Sequence, residues 1–309
     1  MIPLFTARDV YEAVSPARAV EAVREAFAHY ARGEWTMPSK VYVPAYPAGD
    51  FRAMPALGGG HALLKWVTSF PDNPAVGLPT VTGVVLLSDA SSGSLVAVLD
   101  AGSVTALRTG AAAVLAAETL GRGETAAVIG AGVNGRAAAR TFLATGRPVL
   151  VHDVDRARAE AAAAELGAEV VDLETALRAD LLVTVTPGHE VLLPEGTLRP
   201  GQHVSLMGAD GPGKAEIAVD ELLRCRVFCD DWEQASHNGE LAHAVEAGRL
   251  AHADVTDLGA VLAGLAAGRR SDDEITAFDS TGLAIQDLAL ALAALEQADE
   301  IAGLQSISL

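Results

Sequence analysis

The sequence predicts an α/β chain in two parts: a doubly wound domain built on a parallel sheet, and a mixed α+β domain with a sheet of its own. Three observations carry this prediction. A glycine-rich turn at 130–135 sits between an apolar run and an alanine-rich helical segment. From Thr125 onward short apolar runs alternate with helical stretches, the pattern of a parallel sheet covered on both faces. Between Ser39 and Leu99 the pattern is instead a succession of strands parted by turn residues. At 309 residues, half of them hydrophobic, the chain is long enough to bury both cores.

Taken in order, Ser15 and Pro16 open a helix, serine as N-cap and proline in the first turn. Ala19, Val20, Val23, Ala26, Phe27 and Tyr30 follow at helical spacing, to a stop near Gly33. Strands are expected over 41–45, 51–56, 62–70, 80–88 and 95–100, with turns at 58–60, 71–74 and 91–93. A long helix is expected over 102–120. Further strands are expected near 126–129, 149–152, 169–171, 181–184, 203–206 and 226–228. A last helix is expected over 282–302. Its apolar flanks require burial, against the first domain or a second subunit.

The glycine turn carries the first functional expectation. Gly130 permits a tight turn, Gly132 lets a pyrophosphate approach the backbone, and Gly135 lets helix and strand pack closely. Val133 and Asn134 open the helix, whose first N–H groups and positive dipole end favour phosphate. Such a turn also occurs as an ordinary βα connection. Asp153 distinguishes the two, as an acid 18 residues beyond Gly135 at the end of the next apolar run. It can accept hydrogen bonds from ribose hydroxyls and repel a 2′-phosphate, which favours NAD. Arg156 and Arg158 nearby soften that preference and leave room for NADP. The other role open to Asp153 is N-cap of the helix that begins near Asp155.

Composition excludes several function classes. A net charge of −18 argues against nucleic acid and against anionic membrane surfaces as partners. No run approaches the ~18 apolar residues of a membrane span. The N-terminus lacks a basic segment followed by an apolar signal core, so a cytoplasmic location is expected. Cys225 and Cys229 read as buried, reduced thiols on one face of a β-like run. The eight histidines, His189 among them, form no HxxxH or HExxH pair, and no metal is expected.

Several motifs occur together: MPA (54–56), LLKWV around Lys65, NPAVGLPTV (73–81), ALRTGAA (106–112), GAGVNG (130–135), GADGPGKAE (208–216) and FDSTGLAIQD (278–287). In this order, and over nearly the whole chain, they resemble the ornithine cyclodeaminase/μ-crystallin family. The resemblance implies a homodimer. It implies a substrate-binding and dimerisation domain made from both ends of the chain, 1–114 and 280–309, with an NAD-binding Rossmann domain inserted over 115–279. The activity implied is that of an NAD(P)-dependent oxidoreductase on small amino acids or their imines, alanine dehydrogenase-like or ketimine reductase-like. Hydride would pass between the substrate α-carbon and the nicotinamide. Ornithine cyclodeaminase, which uses bound NAD and releases ammonia, is the alternative. A crystallin-like protein that binds nucleotide without turnover is the second alternative, and Lys65 and Asp210 argue against it.

Candidate site residues follow from both readings. A substrate carboxylate needs fixed cations in an acidic protein, and Arg52, Lys65 and Arg108 lie in strand or helix-start contexts rather than charged surface runs. Arg52 and Arg108 are also open to structural salt bridges. Lys65 interrupts an apolar strand, where a lysine is costly unless paired or used. The resemblance makes it a ligand that anchors the carboxylate and polarises the carbonyl or imine, with Lys40 a further contact. Asp210 follows the strand expected at 203–206, at the end where such folds place ligands. It reads either as a turn aspartate or, with the family pattern, as the acid/base group at the substrate nitrogen. The resemblance alone places Thr80, Arg108, Thr109, Asn134 and Ser280 near the cofactor; Lys214, in the loop of Asp210, reads as a cofactor contact or a loop anchor. Cyclodeaminases carry an acid two residues before the MP pair, where this chain has Arg52; that departure favours a small-side-chain dehydrogenase.

Overall fold

The computed structural model describes residues 1–188, 190–211 and 213–308. His189, Leu309, and Pro212 within the 208–216 motif lie outside the described residues. The chain divides into two compact units, Met1–Arg108 with Leu283–Leu309, and Thr109–Gly282.

The first unit opens with β1 (Ile2–Phe5), α1 (Ala7–Ala13) and α2 (Pro16–Ala31). The Ser15 hydroxyl accepts the Arg18 N–H and caps α2, with Pro16 at its first position, as the sequence suggests. There follow β2 (Val41–Ala45), β3 (Gly49–Gly58), β4 (His61–Ser69), β5 (Val81–Asp89) and β6 (Leu95–Asp100). Helix α3 (Ala101–Leu120) carries residues of both units.

The second unit continues with β7 (Ala126–Ile129), α4 (Val133–Ala144), β8 (Val149–His152), α5 (Arg156–Leu166), β9 (Glu169–Val170) and α6 (Leu173–Ala176). Next come β10 (Leu181–Thr184), β11 (His203–Leu206), α7 (Val219–Leu222), β12 (Arg226–Cys229), α8 (Trp232–Asn238) and α9 (Ala242–Glu246). The unit ends with β13 (Val255–Asp257), α10 (Leu258–Leu262) and β14 (Thr276–Asp279). The chain then returns to the first unit with α11 (Ala284–Leu295) and β15 (Gln305–Ile307).

In the first unit seven strands lie in the order β15-β1-β6-β5-β4-β3-β2. Only β1 and β6 run parallel among the paired strands of this sheet. Along β4 the two-residue period buries Leu63, Lys65 and Val67 and turns Leu64 and Trp66 outward. In β3 the same period buries Arg52, Met54 and Ala56. Met54 pairs with Lys65 and Arg52 with Val67 across the ladder. Helix α11, almost wholly buried, packs on α2 and on β3 and β4.

In the second unit eight strands run parallel in the order β13-β12-β14-β11-β10-β7-β8-β9. The chain winds from β7 to one side through β8 and β9, then crosses to β10 and β11. The switch point is therefore at the carboxyl end of β7, where such sheets bind their ligands.

The structure corrects three expectations. The last helix ends at Leu295 rather than near 302, and a 3₁₀ turn follows at Ala298–Glu300. The reason lies in Glu296, Gln297, Asp299 and Glu300, which give no apolar face to bury. Cys225 is not on the strand with Cys229: its N–H closes a turn onto the Leu222 carbonyl, and β12 starts one residue later. Both thiols are free; burial pushes Cys225 up to about 12 and Cys229 well above the ordinary range. The N-cap of α5 is Asp155, which accepts the Arg158 N–H, so Asp153 does not serve as that cap. No helix among the described residues is long and apolar enough to cross a membrane.

Candidate active site

In the first unit Lys65 on β4 and Arg108 on α3 meet Asp287 on α11. Lys65 is 1% exposed, and its Nζ donates to Asp287 Oδ1 at 2.7 Å and to Thr105 Oγ1 at 3.1 Å. Arg108 Nε stands 3.7 Å from the same Asp287 oxygen. Burial pushes the Lys65 ammonium down to about 8; Asp287 opposes this, while the charges of Arg108 and Arg52 add to it. Arg108 Nε, Asp287 Oδ2 and Gln286 Nε2 are buried and have no hydrogen-bond partner among the described residues. Unmet polar atoms beside buried cations are what a polar ligand would satisfy.

Arg52 lies on the same sheet face, but its guanidinium already grips a neighbour. Nε donates to Asp50 Oδ1 at 2.6 Å and Nη2 to Oδ2 at 3.2 Å, a two-point pair set by the i, i+2 spacing on β3. The guanidinium also stacks over Tyr42 at 5.3 Å. Lys40, half-buried, directly precedes β2, and Thr80 directly precedes β5.

In the second unit the glycine turn follows β7. Gly130 has φ +106°, a conformation that favours glycine. A Cβ on Gly135 would lie 1.7 Å from the Gly130 carbonyl oxygen, so no side chain fits there. A Cβ on Gly132 would meet nothing within 4 Å. Gly132 is instead the N-cap of α4 and brings no capping side chain to the first N–H groups; Val133 is 71% exposed and Asn134 half-buried. Asp153 closes the turn: Oδ2 accepts the Ala131 N–H at 2.7 Å and Oδ1 the Asp155 N–H at 2.8 Å. Arg158 approaches Asp153 at 3.5 Å, whereas Arg156 pairs with Glu160.

The loops after β10, β11 and β14 are pinned by buried carboxylates that the sequence reading does not single out. Glu216 accepts Thr184 Oγ1 at 2.7 Å, the Thr186 N–H at 2.7 Å and the Gly208 N–H at 2.9 Å. Its own N–H donates to Glu240 at 2.8 Å. Glu240 and Asp279 are both held well above the ordinary carboxyl range, by burial first and by neighbouring carboxylates second. Asp230 accepts Ser280 Oγ at 3.0 Å and the Gly282 N–H at 2.8 Å, which fixes the candidate Ser280. Thr109 is buried on α3. Asp210, half-buried in the loop after β11, pairs with Lys214 at 2.6 Å. Among the described residues, no group of three His, Cys, Asp or Glu is placed to hold a metal ion.

The only signal in the sequence for the missed acids is their company. Glu216, Asp279 and Asp287 lie within the motifs at 208–216 and 278–287, and Asp50 is one strand period from Arg52.

The chain is similar to known proteins over nearly its whole length. Residues 3–301 match the family described as ornithine cyclodeaminase/mu-crystallin. The chain is 42% identical over 306 residues to an alanine dehydrogenase of Archaeoglobus fulgidus, covering 96% of this chain and 94% of that protein. A solved archaeal alanine dehydrogenase dimer with bound NAD superimposes with a TM-score of 0.91 at 40% identity, covering 97% of this chain and 96% of the other. The Δ(1)-pyrroline-2-carboxylate reductase of Thermococcus litoralis, solved with NADH and L-proline, gives a TM-score of 0.90 at 27% identity, covering 97% and 98%.

Proposed function

The chain belongs to the ornithine cyclodeaminase/mu-crystallin family, and on that premise we propose that it is an NAD-dependent oxidoreductase of small amino acids or their imines. The observation that carries the reading is the buried Lys65–Asp287–Arg108 cluster with its unmet polar atoms. It occurs in a chain whose second unit fits a dinucleotide. Gly132 leaves the first N–H groups of α4 uncovered, Gly135 admits no side chain, and Asp153 is held by two backbone N–H groups. Gly130, Gly132, Val133, Asn134, Gly135 and Asp153 would hold the cofactor's adenosine diphosphate portion. When bound, the nicotinamide supplies the hydride acceptor or donor.

The chain's own residues do the rest. Lys65 and Arg108 bind the substrate carboxylate, and Arg108 Nε has a hydrogen to give. The Lys65 ammonium draws electron density from the imine or carbonyl beside that carboxylate, in a setting where burial strengthens its field. Asp210 takes or returns the proton of the substrate nitrogen, with Lys214 balancing its charge. Arg52, engaged by Asp50, leaves no acid at its own position for a distal ammonium, which disfavours a diamino acid substrate.

The test is a panel of amino acids, imino acids and keto acids with ammonia, run in both directions with NAD and NADP. Net NADH formation from alanine or a similar amino acid supports the proposal. Proline and ammonia from ornithine without net NADH would replace it with cyclodeaminase activity, and no turnover of any substrate would reject both.

We further propose that the chain acts as a homodimer through the outer face of the first sheet. Val41 is 57% exposed and Trp66 38% exposed, and both are in register with Ala53 across β2, β3 and β4. Leu64 and Leu57 continue the apolar face. Sedimentation of the wild type as a dimer, and of W66E as a monomer, is the expected result.

A further inference from the structure

We propose that Asp287 is the positioning residue of the substrate site, holding Lys65 charged and aimed while setting Arg108 beside it. The inference rests on the reading of Lys65 as a carboxylate ligand. Its basis is geometric. One oxygen of Asp287 meets Lys65 at 2.7 Å and faces Arg108 at 3.7 Å, and the Asp287 side chain is fully buried. Three cations converge here, and Asp50 already occupies Arg52. Among the described residues, Asp287 is the carboxylate within hydrogen-bond reach of Lys65, and Thr105, on α3, is its other partner.

The backbone favours an anion at this position. Asp287 lies in the first turn of α11, where a negative charge is stabilised by the helix N-terminus. The start of that helix is fixed by its own contacts. Gln286 Oε1 accepts the Leu283 N–H at 3.2 Å, and the Ala284 N–H points at Met37 Sδ at 3.2 Å. The aspartate is therefore presented by a rigid element. Without its charge Lys65 would face Arg108 and Arg52 in a buried site, and would give up its proton more readily. A neutral amine neither attracts a carboxylate nor polarises an imine.

The test reads the lysine directly. The chain has three lysines, Lys40, Lys65 and Lys214. Selective ¹³Cε-lysine labelling of the full chain gives three NMR signals, assigned with K40R and K214R. In wild type the Lys65 signal is expected to titrate near 8. In D287N its midpoint should fall by about one pH unit or more. The alkaline limb of kcat/KM should fall with it, and KM at neutral pH should rise about tenfold or more, with kcat changed less.

D287E, which keeps the charge, should restore the midpoint. A Lys65 midpoint in D287N equal to or above that of wild type overturns the proposal. If D287N does not fold, D287E decides: a wild-type midpoint with KM raised about fivefold supports positioning, and an unchanged KM rejects it. Because the titration needs no turnover, its outcome is separable from failure of the enzymatic reading.

Discussion

Replacing Gly132 or Gly135 by alanine separates cofactor recognition from folding. At Gly135 the added Cβ would sit 1.7 Å from the Gly130 carbonyl, where ordinary contact begins at 3.4 Å, so α4 and the turn must part by the difference, about 1.7 Å. Overpacking of that kind costs roughly 1–3 kcal/mol, which lowers the melting temperature of a unit this size by about 2–12 °C. G135A should therefore lose stability and NADH affinity together. At Gly132 the new methyl meets no protein atom, so the fold should be untouched. It would instead stand where phosphate oxygens approach the N–H groups of α4. Losing one charge-assisted hydrogen bond there costs about 1.5–3 kcal/mol, roughly a ten- to hundredfold rise in Kd. Calorimetric titration with NADH, beside melting curves, measures both quantities. A G132A variant that binds NADH as tightly as wild type would refute the dinucleotide assignment of this turn.

Lys65→Ala should abolish turnover, by about a thousandfold or more in kcat/KM, while NADH titration shows wild-type affinity. The Lys65 proton is lost more easily in the folded chain than in an exposed lysine, so substrate capture should weaken as pH rises through about 8, seen as a falling kcat/KM. Stability should also fall with rising pH at the buried acids, through a lower pH range. Glu240 and Asp279 keep their protons to higher pH when folded than when unfolded, so the stability they contribute is fully present below the ordinary carboxyl range and declines as pH rises above it. Glu240→Gln should flatten that decline, as recorded by melting temperature against pH.

The second unit is well legible in the sequence because its signals are local. The strand, the glycine turn, the helix and Asp153 lie within one βαβ stretch, and each residue's role follows from backbone geometry. Lys65 is legible for another reason: the alternation of Leu63, Lys65 and Val67 puts a charge on an apolar face. Its partner is not legible, since Asp287 is 222 residues away and only the packing of α11 brings them together. The Asp50–Arg52 pair is within reach of strand periodicity, yet nothing in the spacing says whether Arg52 grips a ligand or its neighbour. The choice between Asp153 and Asp155 as helix cap depends on backbone angles two residues apart. Glu216 and Glu240 are hidden for a related reason: an acid in a short connection looks solvated until the fold closes over it.

The first unit is assembled from both termini, with β15 lying on β1 and α11 on β3 and β4. During synthesis, strands β1–β6 must wait on the ribosome until the whole of Thr109–Gly282 has been translated, on the order of tens of seconds. Through that interval the apolar face carrying Lys65 has no lid, and the lysine has no counter-charge. Emergence of α11 supplies both in one step, so a nascent chain cut short before Ala284 has the glycine turn and its sheet but lacks the aspartate that pairs with Lys65.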